Sequence, residues 1–160
     1  MKKLVATLIA LLALPLATLA VAAAAPVRAA AALELAVIVH ARTPVAAMSA
    51  VEVEMVFTRS RTRWDDGTPI VPINTSPRSE SRVLFDRVVL RLDPDTVGRF
   101  WIDRRIRGFG VPPRHVADPA TVVRVIEKLA GAIGYVPEPL ARQARVKIVA
   151  RIRHGKVLPP

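Results

Sequence analysis

A hydroxyl-rich turn followed by an arginine is the part of this sequence whose residue types could do chemistry. It covers residues 74–82 and joins an apolar stretch to an amphipathic one. The first turn of a helix carries unpaired amide groups with partial positive charge, which favour a small anion. Hydroxyl groups and a guanidinium add donors that suit an oxyanion. The sequence therefore predicts an anion site at this helix start. Its candidate ligands are Ser76, Ser79, Ser81 and Arg82.

The same residues also fit an ordinary helix start that binds no ligand. Ser76 is a suitable N-cap, and Pro77 follows it where a missing N–H costs nothing. The apolar residues that follow fall on one helical stripe. They are Leu84, Phe85, Val88, Val89 and Leu92. A capped helix with surface serines therefore remains the alternative to an anion site.

Strand and helix patterns alternate along the chain and must position this turn. Compact apolar runs predict strands at residues 34–39, 70–73, 132–136 and 146–152. Capping signals predict helices that begin after Ser49, Ser76, Asp93 and Asp118. This alternation predicts an α/β fold with a mostly parallel sheet flanked by helices. Ligands bind at the carboxyl ends of strands in such sheets, and the 74–82 turn lies at one of them.

The first 29 residues have the pattern of a secretory signal peptide. Two lysines precede a run rich in leucine and alanine, and small residues that suit a signal peptidase follow. Cleavage after Ala29 is favoured over Ala22 or Ala24, and a cleaved signal is favoured over an uncleaved membrane anchor. We therefore expect one domain over residues 30–152 and a flexible tail over residues 153–160.

Composition narrows the classes of function. The chain has no cysteine, which excludes disulfides, thiol catalysis and cysteine metal sites. The formal net charge is +11, but few aromatic residues accompany the arginines, and an exported protein seldom meets nucleic acid. His40, His115 and His154 lie far apart, outside the spacing of metal or hydrolase motifs. We expect a periplasmic protein that is not an enzyme, with no cofactor, no metal and no nucleic-acid partner.

The order of several short motifs resembles the phosphate-binding proteins of ABC transporters, which have the type 2 periplasmic binding protein fold. The similar segments lie between Glu34 and Val149, over nearly all of the expected domain. They are residues 37–45, 48–49, 56–57, 64–71, 79–85 and 132–136. Trp101, Gly108, Gly110 and the Pro112–Pro113 pair further resemble a subgroup of short, exported, single-unit relatives. The resemblance implies that Ser79, Ser81 and Arg82 are phosphate ligands.

Two departures from the family pattern affect that implication. Glu80 replaces the family's glycine between the two hydroxyl residues, and a carboxylate there repels an anion unless it points away or pairs with Arg78 or Arg82. The chain also corresponds to one lobe, whereas family members close two lobes over the ligand. The resemblance implies an exported, single-lobe protein that binds inorganic phosphate or a similar oxyanion. An ABC permease, another envelope protein or a second copy would be its protein partner. The alternative is a degenerate lobe that acts as an interaction module without tight ligand binding.

Overall fold

A computed structural model describes residues 33–160, so the expected signal peptide lies outside the described residues. A six-stranded sheet is flanked by helices, and a π-helical turn continues the second helix. Among residues 33–160, none of the helices combines the length and apolar character needed to cross a bilayer. The elements in order are β1 Leu35–His40, α1 Ala50–Phe57, β2 Val71–Thr75, α2 Glu80–Phe85, the π-turn Asp86–Leu90, α3 Pro94–Ile106, β3 Arg114–Val116, α4 Pro119–Lys128, β4 Ala132–Pro137, α5 Glu138–Arg142, β5 Val146–Arg153 and β6 Lys156–Leu158.

The sheet is mixed, so the prediction of a mostly parallel sheet is wrong. The strand order is β3-β2-β4-β1-β5-β6. Pairing is parallel between β2 and β3 and between β2 and β4. It is antiparallel where β1 meets β4 and β5, and where β5 meets β6. An apolar run indicates that a segment is a strand but not which way it points.

The final residues form a sixth strand where the sequence predicts a flexible tail. β6 pairs with β5 through a tight turn at His154 and Gly155, and the register joins Arg153 to Lys156. Both turn residues have positive φ, 49° at His154 and 68° at Gly155, which is the backbone of a two-residue hairpin turn. The three residues of β6 are too few to show the apolar alternation that indicates a strand.

The core occupies both faces of the sheet, with β1 at its centre. The five residues from Leu35 to Val39 are 0 % exposed. Leu35, Val37 and Val39 belong to the cluster that includes α1 and α2, whereas Ala36 and Ile38 belong to the one that includes α4. Successive strand residues point to opposite faces, so one strand contributes to two layers of core. This double burial explains why the strand is an unbroken apolar run.

Two of the predicted helix starts are confirmed in detail. Ser49 Oγ accepts a hydrogen bond from Glu52 N, while the Glu52 carboxylate accepts from Ser49 N at 2.8 Å, which completes a capping box. The Asp118 carboxylate accepts from Thr121 N at 2.8 Å at the start of α4. These caps depend on residues within one helical turn, so the sequence alone is sufficient to predict them.

A buried carboxylate joins helix α5 to strand β5. Glu138 is 2 % exposed and accepts hydrogen bonds from three arginines. Arg142 lies on α5 with Glu138, whereas Arg151 and Arg153 lie on β5. Hydrogen bonds from Arg153 and then Arg142 lower the pKa of Glu138 to about 2. The cluster therefore fastens α5 to β5 through charge-assisted hydrogen bonds.

Candidate functional site

The predicted helix start lies at the carboxyl end of β2, but Ser79 caps it and Ser76 does not. Ser79 Oγ accepts a hydrogen bond from Arg82 N at 3.2 Å and donates to Ser76 O at 2.9 Å. It also lies 2.9 Å from Thr75 Oγ1. Residues 77 and 78 therefore belong to a turn before the helix, and α2 begins three residues later than a Ser76 cap requires. The hydroxyl of Ser79 is engaged within the chain.

Arg82 and Asp86 form a buried ion pair on the next turn of this helix. Arg82 is 7 % exposed and Asp86 is 4 % exposed, and Arg82 Nε donates to Asp86 Oδ2 at 2.6 Å. Within residues 33–160 the two terminal nitrogens of Arg82 make no hydrogen bond, and Asp86 Oδ1 has no partner. Burial raises the pKa of the Asp86 carboxyl, and the Arg82 charge opposes that rise. The pair thus retains unused donors and an unused acceptor.

These unused groups adjoin a cleft of about 370 Å³. The cleft lies between the turn before α2, the π-turn, α3 and β3. The residues that define it include Pro77, Arg82, Asp86, Trp101, Pro113 and His115. Trp101 is 7 % exposed, and its Nε1 has no hydrogen-bond partner among the described residues. The cleft is therefore lined by the guanidinium-bearing Arg82, the carboxylate-bearing Asp86 and the indole of Trp101, between apolar walls.

Core packing behind the cleft holds the position of α2. Tyr135 on β4 is fully buried, and its ring stacks on Phe85 with centroids 3.9 Å apart and planes 6° apart. Its hydroxyl donates to Asn74 Oδ1 at 3.3 Å. Burial raises the pKa of Tyr135, which stays protonated and serves as a donor. The stacking of Tyr135 on Phe85 holds α2, which also carries Arg82, against the sheet.

Of the four predicted ligands, only Arg82 lines the cleft. Ser76 is half-buried after β2, Ser79 is the helix cap, and Ser81 is 6 % exposed. None of the three serines lines the cleft. Glu80 is exposed and lines a different surface, shared with Arg78, so its carboxylate does not face Arg82.

Sequence reasoning missed Asp86 and the role of Trp101. The spacing of Asp86 from Arg82 could have indicated it. Residues four apart on a helix lie on the same face, and Asp86 follows Arg82 by four residues. Trp101 has no comparable local signal. It lines the cleft together with Arg82, Asp86 and His115, which belong to other elements of the fold.

Solved structures similar to this chain are phosphate-binding proteins of ABC transporters. A substrate-binding protein of a phosphate ABC transporter from Clostridium perfringens, with bound phosphate, has a TM-score of 0.58 and 19% identity, over 73% of this chain and 45% of that one. An ABC-type phosphate transport receptor from Vibrio cholerae has a TM-score of 0.57 and 14% identity, over 73% and 46%. PstS from Borrelia burgdorferi has a TM-score of 0.57 and 12% identity, over 73% and 47%.

These similarities define the class of fold. The chain has the α/β fold of type 2 periplasmic binding proteins, and its solved neighbours within that class are phosphate-binding proteins. The predicted resemblance is therefore confirmed at the level of the fold. The chain spans slightly less than half the length of these neighbours. Searches with protein-family models and among curated protein sequences find no match.

Proposed function

We propose that this chain is a small-oxyanion-binding component related to the receptors of ABC transporters, and that Arg82 is the residue that binds the anion. One observation carries the proposal. The guanidinium of Arg82 is buried beside a cleft at the carboxyl end of β2, with its terminal nitrogens unpartnered among the described residues. A guanidinium is a planar fork of donors that matches a carboxylate or phosphate edge.

The structural neighbours support a phosphate-type ligand, since the protein from Clostridium perfringens was solved with bound phosphate. The proposal narrows the four predicted ligands to one direct contact. Ser79 is a positioning residue, because its hydroxyl accepts the amide hydrogen of Arg82 and fixes the start of α2. Ser76 and Ser81 have no assigned contact in the cleft. In a single lobe, one side of the ligand stays exposed to solvent, which weakens each hydrogen bond to it. We therefore expect weak affinity, in the millimolar range.

Calorimetric titration with phosphate and with sulfate tests this function. Arg82→Lys keeps the charge but removes the fork, and we expect it to weaken binding by about tenfold. Arg78→Lys is the matched control, because Arg78 is exposed and lies outside the cleft. The control should bind like the wild type, and thermal unfolding should show that both variants fold. An absence of heat with both anions at millimolar concentration would overturn the proposal, as would equal loss in the two variants.

The proposed function also includes export of the protein and a role in transport. We place the protein in the periplasm after removal of residues 1–29, with an ABC permease as its partner. The charged, apolar and small-residue order of the N-terminal sequence supports this placement. Expression in a bacterium followed by fractionation and intact mass measurement tests it. A full-length mass confined to the cytoplasm would contradict export, and a mass that starts after Ala22 or Ala24 would only move the cleavage site.

Exposed apolar residues on α3 and in the loop that follows it favour a second candidate, an accessory module that binds another protein chain. Ile102, Ile106, Phe109 and Val111 each expose more than half of their surface. Grouped exposed apolar residues are typical of interaction surfaces. Sedimentation velocity tests the case of a homodimer. We expect Ile102→Ser with Ile106→Ser to give a monomer, and Val51→Ser, an equally exposed position on α1, to leave the mass unchanged. A wild-type protein that sediments as a monomer would contradict the homodimer.

A further inference from the structure

The charges around the cleft are balanced. Of the ten residues that line it, Arg82 and Asp86 are the two with formal charge at neutral pH. A simple anion is attracted by Arg82, but it also meets the carboxylate of Asp86 at the same place. The repulsion by Asp86 therefore offsets part of the attraction by Arg82. A ligand with a positive group beside its negative group would gain from both residues.

Unpartnered atoms of the residues at the cleft also favour a ligand that carries both a positive and a negative group. Asp86 Oδ1 and Trp101 Nε1 are buried and have no hydrogen-bond partner among residues 33–160. A buried polar atom without a partner is unfavourable, so a ligand group that satisfies it contributes to affinity. Trp101 Nε1 requires an acceptor, which an oxyanion supplies. Asp86 Oδ1 requires a donor, which a fully deprotonated anion lacks.

The size and walls of the cleft favour an organic molecule. Its volume of about 370 Å³ falls within the range of small-molecule sites. One water molecule takes about 30 Å³ in the liquid, so the cleft greatly exceeds the space that one tetrahedral oxyanion needs. Pro94, Val97 and Pro112 contribute apolar surface to the walls. An aliphatic group attached to the charged end would cover this surface.

From these observations we propose that the cleft binds a small organic oxyanion that also carries an ammonium group, with the oxyanion on Arg82 and the ammonium on Asp86. The proposal rests on the function proposed above and adds the class of ligand. Arg82 Nε lies 2.6 Å from Asp86 Oδ2, and the unused oxygen belongs to the same carboxylate. The two charged groups of the ligand must therefore lie within a few bonds of each other. An α-amino acid and a phosphoethanolamine-type ester both have this chemistry.

Matched ligand pairs test the proposal on the wild-type protein without any substitution. The first pair is L-valine and 3-methylbutanoate, which differ by the amino group. The second is phosphoethanolamine and ethyl phosphate. We expect the amine-bearing member of at least one pair to bind about tenfold or more tightly than its partner. The pair that shows the difference identifies whether the oxyanion is a carboxylate or a phosphate.

A substitution at Asp86 gives a second test in which two ligands respond in opposite directions. Asp86→Asn removes the negative charge at nearly constant shape. We expect it to weaken the amine-bearing ligand by about tenfold and to leave inorganic phosphate unchanged or tighter. Asp103→Asn, on the exposed side of α3, is the matched control and should change neither. If Asp86→Asn fails to fold, as measured by thermal unfolding, the ligand pairs alone decide.

The outcomes separate this proposal from the function on which it rests. Binding of inorganic phosphate without any preference for amine-bearing ligands overturns the present inference and leaves the proposed function standing. No heat with any of the five ligands overturns both. Equal loss of both ligand types in Asp86→Asn, with its fold intact, also contradicts the assignment of the ammonium group to Asp86.

Discussion

Arg82 and Asp86 face each other across one helical turn, with Arg82 Nε 2.6 Å from Asp86 Oδ2. Arg82 belongs to α2, and Asp86 is the first residue of the π-turn that follows it. Both side chains are almost entirely removed from solvent. Removing charges from water is costly, so each member of the pair depends on the other. The same two residues therefore determine both the local stability of the helix and the charge of the cleft.

Removal of Arg82 alone should be strongly destabilising. Arg82→Ala leaves the Asp86 carboxylate buried and unpaired, and we expect the free energy of unfolding to fall by about 3–5 kcal/mol. The double substitution Arg82→Met with Asp86→Leu replaces the pair by apolar groups of similar size, and it should recover most of that loss. Urea unfolding of the two variants and the wild type measures both effects. A double variant as unstable as the single one would show that the pair is not the cause.

The helix cap at Ser79 should affect binding as well as stability. Ser79→Ala removes the acceptor for Arg82 N, and we expect a loss of about 1 kcal/mol of stability. Because Arg82 then lies in a frayed first turn, oxyanion binding should also weaken. Ser49→Ala removes the corresponding cap of α1, away from the cleft, and should cost similar stability without any change in binding. Equal binding by the two variants would contradict a positioning role for Ser79.

The Glu138 cluster should make stability depend on pH in the acid range. The folded pKa of Glu138 is about 2, below its ordinary value of 4.5. Its contribution is therefore complete above pH 4.5 and is lost as the pH falls toward 2. Urea unfolding of the wild type at pH 5 and pH 3 measures the loss. Glu138→Gln should be about 3 kcal/mol less stable at pH 5, and the difference between the two proteins should shrink at pH 3. A difference that stays constant would exclude Glu138 as the titrating group.

Close packing between α4 and β4 should exclude a side chain at Gly134. A Cβ built there lies 2.6 Å from Val122 Cγ1 and 3.0 Å from Ile126 Cδ1. Overpacking of this kind costs about 1–3 kcal/mol, so Gly134→Ala should lower the midpoint of urea unfolding. Gly98 lies within α3 with nothing near its Cβ position, and Gly98→Ala should be neutral or stabilising by up to about 1 kcal/mol. Equal effects of the two substitutions would contradict the packing at Gly134.

The longer helices and strands follow from local patterns in the sequence. The capping box at Ser49, the Asp118 cap and the apolar run of β1 act within one helical turn or one strand, so a local pattern is enough to predict them. The short elements β3, α5 and β6 escaped prediction because they contain too few residues to establish a period. The cap at Ser79 was misplaced by three residues, since Ser76 and Ser79 are equally suitable by residue type.

The direction of the strands and the set of residues that line the cleft depend on long-range packing and became known from the folded chain. Antiparallel pairing of β1 with β4 and β5 is set by long-range packing. A hydrophobic pattern in the sequence does not indicate the direction of a strand. The cleft joins Arg82 and Asp86 to Trp101 and His115, which lie on α3 and β3. Their proximity depends on how separate elements pack on the core, and no spacing within the sequence encodes it. The sequence could therefore indicate an arginine suited to an oxyanion, whereas the carboxylate and the indole beside it became apparent only in the folded chain.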